Sequence, residues 1–432
     1  MIWNKEIECM DGHVMRALQS ERLIKLVHQV YANVAFYRRR MDEMGVKPSD
    51  IQSIDDIVKL PFTYKTDLRD NYPFNLFAVP MTEIVRVHAS SGTTGKPTTV
   101  GYTKNDIENW QEIVARCLAT CGIEKQDIMQ VSYGYGLFTG GLGVHYGAEK
   151  VGCTVIPISG GNTRRQLQLM SDFGSTVMAC TPSYALHLAD ALAENGYSLA
   201  DMRLKIGVFG AEPWTENMRL ELERKWGIRA FDIYGLSEIM GPGVANDCIY
   251  HAGLHIQEDH FYPEIVHPDS KQPLADGLEG ELVFTTLTKE GIPLLRYNTR
   301  DLSTLNRDTC QCGRTLVRMK KITGRSDDML IIRGVNLFPS QIEHVLLEMG
   351  ETSAHYMLYV DNVNNLDTLE LQVELDESKM TDSLAELQNL SKKISHALNS
   401  AIGLSVKVTL VEPKTIARSE GKAVRVVDKR KK

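Results

Sequence analysis

The chain is short of several features that would each announce a class of function. Eight cysteines spread over 432 residues are too few for a disulfide scaffold, so a reducing, cytoplasmic context is expected. No run of about 18 uncharged apolar residues occurs, and no membrane span is expected. Positive charge is not in excess. Lys and Arg total 48 against 55 Asp and Glu, and this net charge of −7 argues against a nucleic-acid partner. The one short basic cluster, Lys429, Arg430, Lys431 and Lys432, reads as a solvated end. The first ten residues, MIWNKEIECM, carry acids and no apolar segment, so no secretion signal is expected. Internal repeats and low-complexity tracts are absent. What is present is a globular balance, 43% apolar and 24% charged, in a length that suits about two to three domains.

Apolar positions at Leu23, Ile24, Val27, Val30 and Tyr31 have helical spacing, so residues 18–43 are expected to be helical. Strand-like runs follow at 84–88, 128–132, 154–158, 177–180 and 205–209, with helical stretches between them. This alternation predicts a mostly parallel sheet covered by helices. From about 255 to 335 the chain turns β-rich, with FYPEIV, GELVFTTL and a turn at Asp276-Gly277. A small α+β region then starts afresh: helix 339–349, strands near 354–360 and 368–375, helix 381–400, strand 405–411. The expected division is an α/β domain over 1–326 and a small α+β domain over 327–432, with the seam near Gly324-Arg325-Ser326-Asp327-Asp328.

Residues 88–99, HASSGTTGKPTT, form a loop suited to phosphate. It is not a Walker A element: Ser90 stands where the first glycine belongs, and Pro97 follows the lysine where Ser or Thr is required. Its chemistry still fits an anion. Ser90, Ser91, Thr93 and Thr94 offer hydroxyls, Gly92 and Gly95 let amides turn inward, and Lys96 adds a cation. A polar surface turn is the plain alternative for such a cluster taken alone.

Three further elements accompany it. Gly210-Ala211-Glu212-Pro213 follows an apolar strand, and ligands of parallel sheets bind beyond the C-terminal strand ends. FDIYGLSE at 231–238 ends another strand, where Tyr234 can stack on a ring and Glu238 can hold Mg2+. Tyr297-Asn298-Thr299-Arg300-Asp301 sets a carboxylate where it can grip ribose hydroxyls. A strand-end turn, a core tyrosine and a salt-bridged aspartate are the respective alternatives. All four in this order make those alternatives improbable together.

The set SSGTTGKP, GAEP, YGLSE, YNTRD, GRSDDMLIIRG and RSEGK resembles the adenylate-forming superfamily of acyl-CoA synthetases, peptide-synthetase adenylation domains and luciferases, over residues 85–425. Within it, GAEPW, IYGLSEIMGPGVA, EDHFYPEIV, FTTLTKEGIPLLRYNTRDL and GRSDDMLIIRGVNLFPSQIE are similar to the phenylacetate–coenzyme A ligase family. The resemblance implies a fold of adenylate-forming type, with a large N-terminal domain and a small mobile C-terminal one. It implies two half-reactions. A carboxylate attacks the α-phosphate of ATP and pyrophosphate leaves; the thiol of coenzyme A then attacks the acyl-adenylate and AMP leaves.

It also implies roles. The loop at 90–96 holds the β- and γ-phosphates. Ala211, Glu212 and Pro213 border adenine, with Asp232, Ile233, Tyr234 and Gly235 on another wall. Asp301, helped by Arg325, binds the ribose, and Glu238 carries Mg2+ with Thr94 as a second candidate. Lys422 is the mobile catalytic lysine, a cation bridging carboxylate and α-phosphate, and Asp327 is the hinge. The chain departs from the family at Ala417, where proline is common.

In SYGYGLFTGGLGVHYGAEKVG, Tyr135, Phe138 and Gly140 are candidates for the acid pocket, with core aromatics at a glycine-rich turn as the alternative. Phenylacetate is the favoured acid. Indole-3-acetate, another aryl acid, or delivery to a carrier protein stay open, as does oligomeric state, a homodimer included. Cys310-Gln311-Cys312 with Cys248 and a histidine makes a Cys3His set for structural zinc, His255 preferred over His251. Buried apolar thiols are the alternative, and Cys117 with Cys121 read as such.

Overall fold

The computed structural model describes the chain except residues 91–96, 323, 327–329, 334, 364–365, 377–380, 382, 419–423 and 431–432, and the side chains of Ile331, Asn336, Val363 and Leu366. Two compact units result. One comprises Met1–Cys180, Leu192–Ala211 and Ile228–Lys321; the other comprises Thr181–Ala191, Glu212–Gly227 and Ile322–Lys432. Among the described residues no helix is long and apolar enough to cross a membrane.

The first unit opens with helices. Asp11 caps Gly12–Asn33 by accepting from the His13 N–H at 2.9 Å, and Met15, Gln19, Leu23, Leu26, Val27 and Val30 make its buried stripe. A hairpin follows, β1 (Arg86–Ala89) against β2 (Thr99–Tyr102), with Ala89 opposite Thr99. The Ser90 N–H donates to Thr98 at 3.0 Å, so the pairing runs up to the loop that joins the two strands.

The main sheet is built from β3 (Ile128–Val131), β4 (Thr154–Ile156), β5 (Val177–Cys180), β6 (Ile206–Gly210), β7 (Arg229–Leu236), β8 (Gly241–Asn246) and β9 (Leu254–Ile256). Strands β10 (Phe261–Val266), β11 (Gly280–Thr286) and β12 (Tyr297–Ser303) form a separate antiparallel sheet. Two short strands, β13 (Leu305–Asn306) and β14 (Arg318–Met319), complete the main sheet in the order β13-β14-β9-β8-β7-β6-β5-β3-β4. From β4 to β7 every pairing is parallel; from β7 to β13 every pairing is antiparallel. The parallel half holds four of the five runs expected from alternation with helices, whereas the run at 84–88 pairs antiparallel with β2 in its own hairpin; the parallel half places the C-terminal ends of β5, β6 and β7 on one edge.

The helix Lys104–Thr120 packs on this sheet. Thr103 and Asp106 form its capping box, and Ile107, Trp110, Ile113, Val114 and Cys117 lie in its buried face. A neighbouring helix, Thr139–Val151, comes so close that a Cβ on Gly147 would stand 2.3 Å from Val114, which only glycine allows. Cys117 and Cys121 are core residues, and burial raises both thiols.

The second unit holds two hairpins. One pairs β15 (Leu330–Ile332) with β16 (Val335–Leu337), and the other pairs β17 (Thr352–Val363) with β18 (Leu366–Leu375). Strands β19 (Lys407–Val411) and β20 (Val426–Asp428) extend the latter in parallel, giving the order β19-β18-β17-β20. Helices Pro339–Met349 and Leu384–Ile402 bury Ile342, Leu346, Ile394 and Leu398 against Tyr356, Leu358, Leu371 and Val373. Helices Pro182–Asp190 and Glu216–Trp226 also belong to this unit, where Asp190 meets His355 at 3.2 Å and Lys225 at 2.6 Å.

Candidate active site

Strands β6 and β7 run parallel with Gly210 opposite Ile233, so Ala211 leaves β6 beside Tyr234, which is still paired with Ala245 of β8. Ala211 holds φ at +72°, a left-handed conformation that costs a residue with a Cβ about 1–3 kcal/mol and concentrates at functional turns. Asp232 and Ile233 are buried in β7, with Gly235 directly after Tyr234. Lys321 lies 3.6 Å from the Asp232 carboxylate.

The Tyr234 hydroxyl donates to the Asp301 carboxylate at 2.6 Å, which brings YGLSE and YNTRD together. Burial, and then Asp301 itself, push the phenol well above its ordinary range, so it remains a donor. The turn before Asp301 is anchored from below. Arg300 has φ +67°, its guanidinium pairs with the buried Glu281 at 2.9 Å, and the Asp301 N–H donates to Thr299 at 3.0 Å.

Glu238 is the centre of a second group. Its buried carboxylate has the Lys65 ammonium at 3.2 Å and the Thr98 hydroxyl at 3.4 Å, both on the same oxygen. Thr98 and Ser90 share a hydrogen bond of 2.5 Å between their hydroxyls. The glycine-rich loop joins the group from the other side: Thr139 and Ser237 hydroxyls are 2.9 Å apart, and the Leu137 carbonyl accepts from the Ala89 N–H at 3.0 Å. In that loop Tyr135 is half-buried with its hydroxyl 3.2 Å from His145, Gly140 lies against the Tyr133 ring, and Phe138 is 48% exposed.

In the second unit, the Glu212 carboxylate accepts from the Ser183 N–H at 2.8 Å, Pro213 follows it, and Arg325 is half-buried. Ser91, Gly92, Thr93, Thr94, Gly95, Lys96, Asp327 and Lys422 lie outside the described residues.

A separate cluster joins Cys248, His255, Cys310 and Cys312, whose ligand atoms all lie within 4.8 Å of one another. Cys248 and Cys310 sulfurs are 3.8 Å apart, and the Cys312 sulfur is 3.5 Å from His255 Nε2. His251 turns away and bonds Asp247 at 2.5 Å.

Residues 14–287 match the AMP-binding enzyme family, and residues 334–430 match its C-terminal domain. The chain belongs to the AMP-binding enzyme family. It is 53% identical to a phenylacetate-coenzyme A ligase of Escherichia coli (strain K12), over 98% of this chain and 97% of that protein. It is 51% identical to one from Thermus thermophilus, over 100% of both chains. A crystal structure of 2-hydroxyisobutyryl-CoA ligase, in the postadenylation state with R3-HIB-AMP, superposes with a TM-score of 0.94 at 29% identity, over 99% of this chain and 92% of that one.

In this AMP-binding enzyme, sequence reasoning missed Lys65, Thr98, Thr139 and Ser237. Lys65 opens the short helix Lys65–Asp70, 173 positions before Glu238 (238 − 65), and no spacing rule links them. Thr98 was legible only as part of a polar cluster; its side chain faces Glu238 because the β1–β2 register continues past Ala89.

Proposed function

We propose that the protein is an AMP-forming ligase that activates phenylacetate with ATP and transfers the acyl group to coenzyme A, releasing AMP and pyrophosphate. The observation that carries this reading is the convergence of two family motifs through Tyr234 and Asp301, in a chain similar over its full length to phenylacetate-coenzyme A ligases.

A free carboxylate has no adequate leaving group; the adenylate supplies one. Such chemistry depends on positioning and electrostatics. In this reading Tyr234 stacks on adenine, with Ala211, Glu212, Pro213, Asp232, Ile233 and Gly235 as further walls, and Asp301 holds the ribose with Arg325. Residues 90–96 hold the β- and γ-phosphates. Lys65, already beside Glu238, presents a cation at the same end of the site. Lys422 bridges the attacking carboxylate and the α-phosphate. Tyr135, Phe138 and Gly140 border the aryl ring, and Asp327 is the hinge between half-reactions. Glu238 suits Mg2+, which when bound neutralises phosphate charge.

We further infer a structural zinc at Cys248, His255, Cys310 and Cys312. Tetrahedral bonds of about 2.3 Å to sulfur and about 2.05 Å to nitrogen require edges of roughly 3.8 Å between sulfurs and roughly 3.5 Å between sulfur and nitrogen. Two of the six edges, Cys248–Cys310 and Cys312–His255, are 3.8 and 3.5 Å, and all four ligand atoms lie within 4.8 Å of one another.

The test is pyrophosphate release and thioester formation over a panel of aryl acids, with and without coenzyme A. Phenylacetyl-CoA is expected without any carrier protein. A thioester that forms only on a carrier protein would replace the ligase reading, and preference for indole-3-acetate would replace the acid.

A further inference from the structure

Lys289 is sealed inside the first unit, with 1% of its surface exposed. It follows β11 in the run Leu287-Thr288-Lys289-Glu290-Gly291. Asp106 sets the direction of this turn by accepting from the N–H groups of Glu290 at 2.8 Å and Gly291 at 2.9 Å. The Glu290 carboxylate takes the Thr103 hydroxyl at 2.7 Å and the Asn105 amide at 2.8 Å. Gly291 lies so near the Gly101 carbonyl that a Cβ would stand 2.5 Å from it. With the turn pinned on these contacts, the lysine side chain is directed into the core.

Its ammonium stands 3.5 Å from the centroid of the Tyr102 ring and 3.7 Å from the Met240 sulfur. Trp110 stacks on Tyr102 at 5.1 Å and 14°, and a stacked indole and an ammonium this close cannot share one face. The order is therefore indole, phenol, ammonium. Among the described residues no carboxylate forms an ion pair with Lys289; Asp106 and His88 are the titratable groups that sense its charge.

A buried ammonium without a carboxylate weakens a core that methionine would fill without charge. Its position suggests what the side chain does. The Tyr102 hydroxyl donates to the Met240 carbonyl at 2.8 Å. The N–H groups of Ile239 and Met240 both return to the Leu236 carbonyl at 3.1 Å, closing the turn that carries Glu238. Lys289 thus touches both partners of the bond that holds the back of this turn.

We propose that Lys289 is a positioning residue for the ATP-dependent half-reaction: held on the Tyr102 ring, it fixes the turn from which Glu238 presents its carboxylate. This rests on Glu238 as the magnesium carboxylate. It concerns geometry supplied from behind the site, and Lys289 itself touches no substrate.

The test compares Lys289→Met, Tyr102→Phe and Glu238→Gln in the full-length enzyme. Three quantities are read: melting temperature, the Mg2+ dependence of pyrophosphate release, and thioester formation from supplied phenylacetyl-adenylate. Lys289→Met is expected to melt no lower than the unsubstituted protein. Its adenylation should fall by about tenfold to a hundredfold, the scale of a misplaced group, with a higher Mg2+ requirement. Its thioester step should be unchanged. Tyr102→Phe keeps the ring under the ammonium but loses the bond to Met240, and should shift the Mg2+ requirement in the same direction. If Glu238→Gln shifts that requirement and the other two do not, the role of Lys289 is refuted while the magnesium reading stands. If Glu238→Gln shifts nothing, the magnesium reading falls and takes the proposal with it. Should Lys289→Met not fold, Tyr102→Phe decides, and an unchanged Mg2+ requirement overturns the proposal.

Discussion

The Tyr234 hydroxyl and the Asp301 carboxylate meet at 2.6 Å, tying the end of β7 to β12 across two different sheets. One side chain is thereby oriented by another that comes from 67 residues away. A hydrogen bond to a charged group is worth about 1.5–3 kcal/mol. Tyr234→Phe should therefore raise the KM for ATP on the order of tenfold, with a smaller effect on kcat, because the carboxylate loses its orienting donor. Asp301→Ala should raise it further. Steady-state kinetics with ATP as the varied substrate check this, and an unchanged KM in both variants would remove Asp301 from the ribose.

Lys422→Ala separates the two half-reactions. In the proposed mechanism its cation acts where carboxylate and α-phosphate repel, and such electrostatic groups are worth about 10²–10³ in rate. Pyrophosphate release should fall by that order, while supplied phenylacetyl-adenylate should still yield thioester with coenzyme A. Equal loss in both assays would contradict a role specific to adenylation.

The sequence made the scaffold legible because its signals were local. Alternation of apolar strands and helices revealed the parallel sheet, and the motifs marked the place where Ala211 leaves β6 beside Tyr234. The small α+β unit was legible for the same reason: helix Pro339–Met349 coincides with the expected 339–349. What stayed hidden depends on long-range register. Lys65 reaches Glu238 only through the tertiary fold, and nothing in TYKTDLRD marks it. In the sequence Lys289 is one lysine beside a glutamate; the turn pinned by Asp106 and by the close approach of Gly291 to Gly101 directs it inward. The antiparallel half of the main sheet joins β8, β9, β14 and β13; β9, β13 and β14 fall in the stretch read as β-rich and β8 lies before it, and none was read as a continuation of the parallel half, since pairing order is not written in periodicity.

The zinc reading has a consequence at the other end of the chain. Arg314 follows Cys312 by two residues, and its guanidinium forms a buried pair with Glu8 at 2.6 Å. The Thr315 N–H also donates to the Glu8 carbonyl at 3.1 Å. Freshly purified protein should contain about one zinc, and Cys310→Ser should lose it. Closed zinc sites contribute folding energy directly, so this variant should melt lower by several degrees. It should also be cleaved faster within residues 1–11. Elemental analysis without zinc in chelator-free protein would count against the site whatever the melting temperature.

Lys289 gives stability a defined pH dependence. Burial pulls its pKa down to about 7, whereas an unfolded lysine titrates near 10.4. Protonation therefore favours the unfolded chain. The resulting penalty is complete at and below pH 7, and fades as pH rises toward about 10.4. Lys289→Met removes it. The stability gained by that variant should be largest near pH 7 and should shrink by about 1.4 kcal/mol per pH unit above it. Denaturant unfolding of both proteins between pH 7 and 9.5 measures this. A gain that stays constant over this range would mean that folded Lys289 keeps an ordinary lysine pKa, and one that grows with pH would contradict a burial penalty on its charge.

In the proposed reading the acid is selected at the glycine-rich loop. Leu137 and Phe138 are 63% and 48% exposed, large apolar side chains on the loop whose Leu137 carbonyl bonds to the strand leading to Ser90. A flat ring laid on them would remove that surface from water, at about 0.8 kcal/mol per CH2 equivalent. Acetate forfeits those contacts. Two to four such equivalents amount to about 2–3 kcal/mol, so phenylacetate should exceed acetate in kcat/KM by roughly 30-fold to 200-fold. The Tyr135 hydroxyl is 3.2 Å from His145, and a sixteen-carbon chain is expected to overrun a pocket sized for one ring and be a poor substrate. Phe138→Ala enlarges the space and removes a contact. It should hurt phenylacetate more than indole-3-acetate, whose second ring can fill the volume released. Competition between the two acids in one reaction mixture measures the ratio without reference to enzyme concentration. Palmitate turned over as well as phenylacetate would defeat the pocket, while leaving the adenylation chemistry of Tyr234, Asp301 and Lys422 in place.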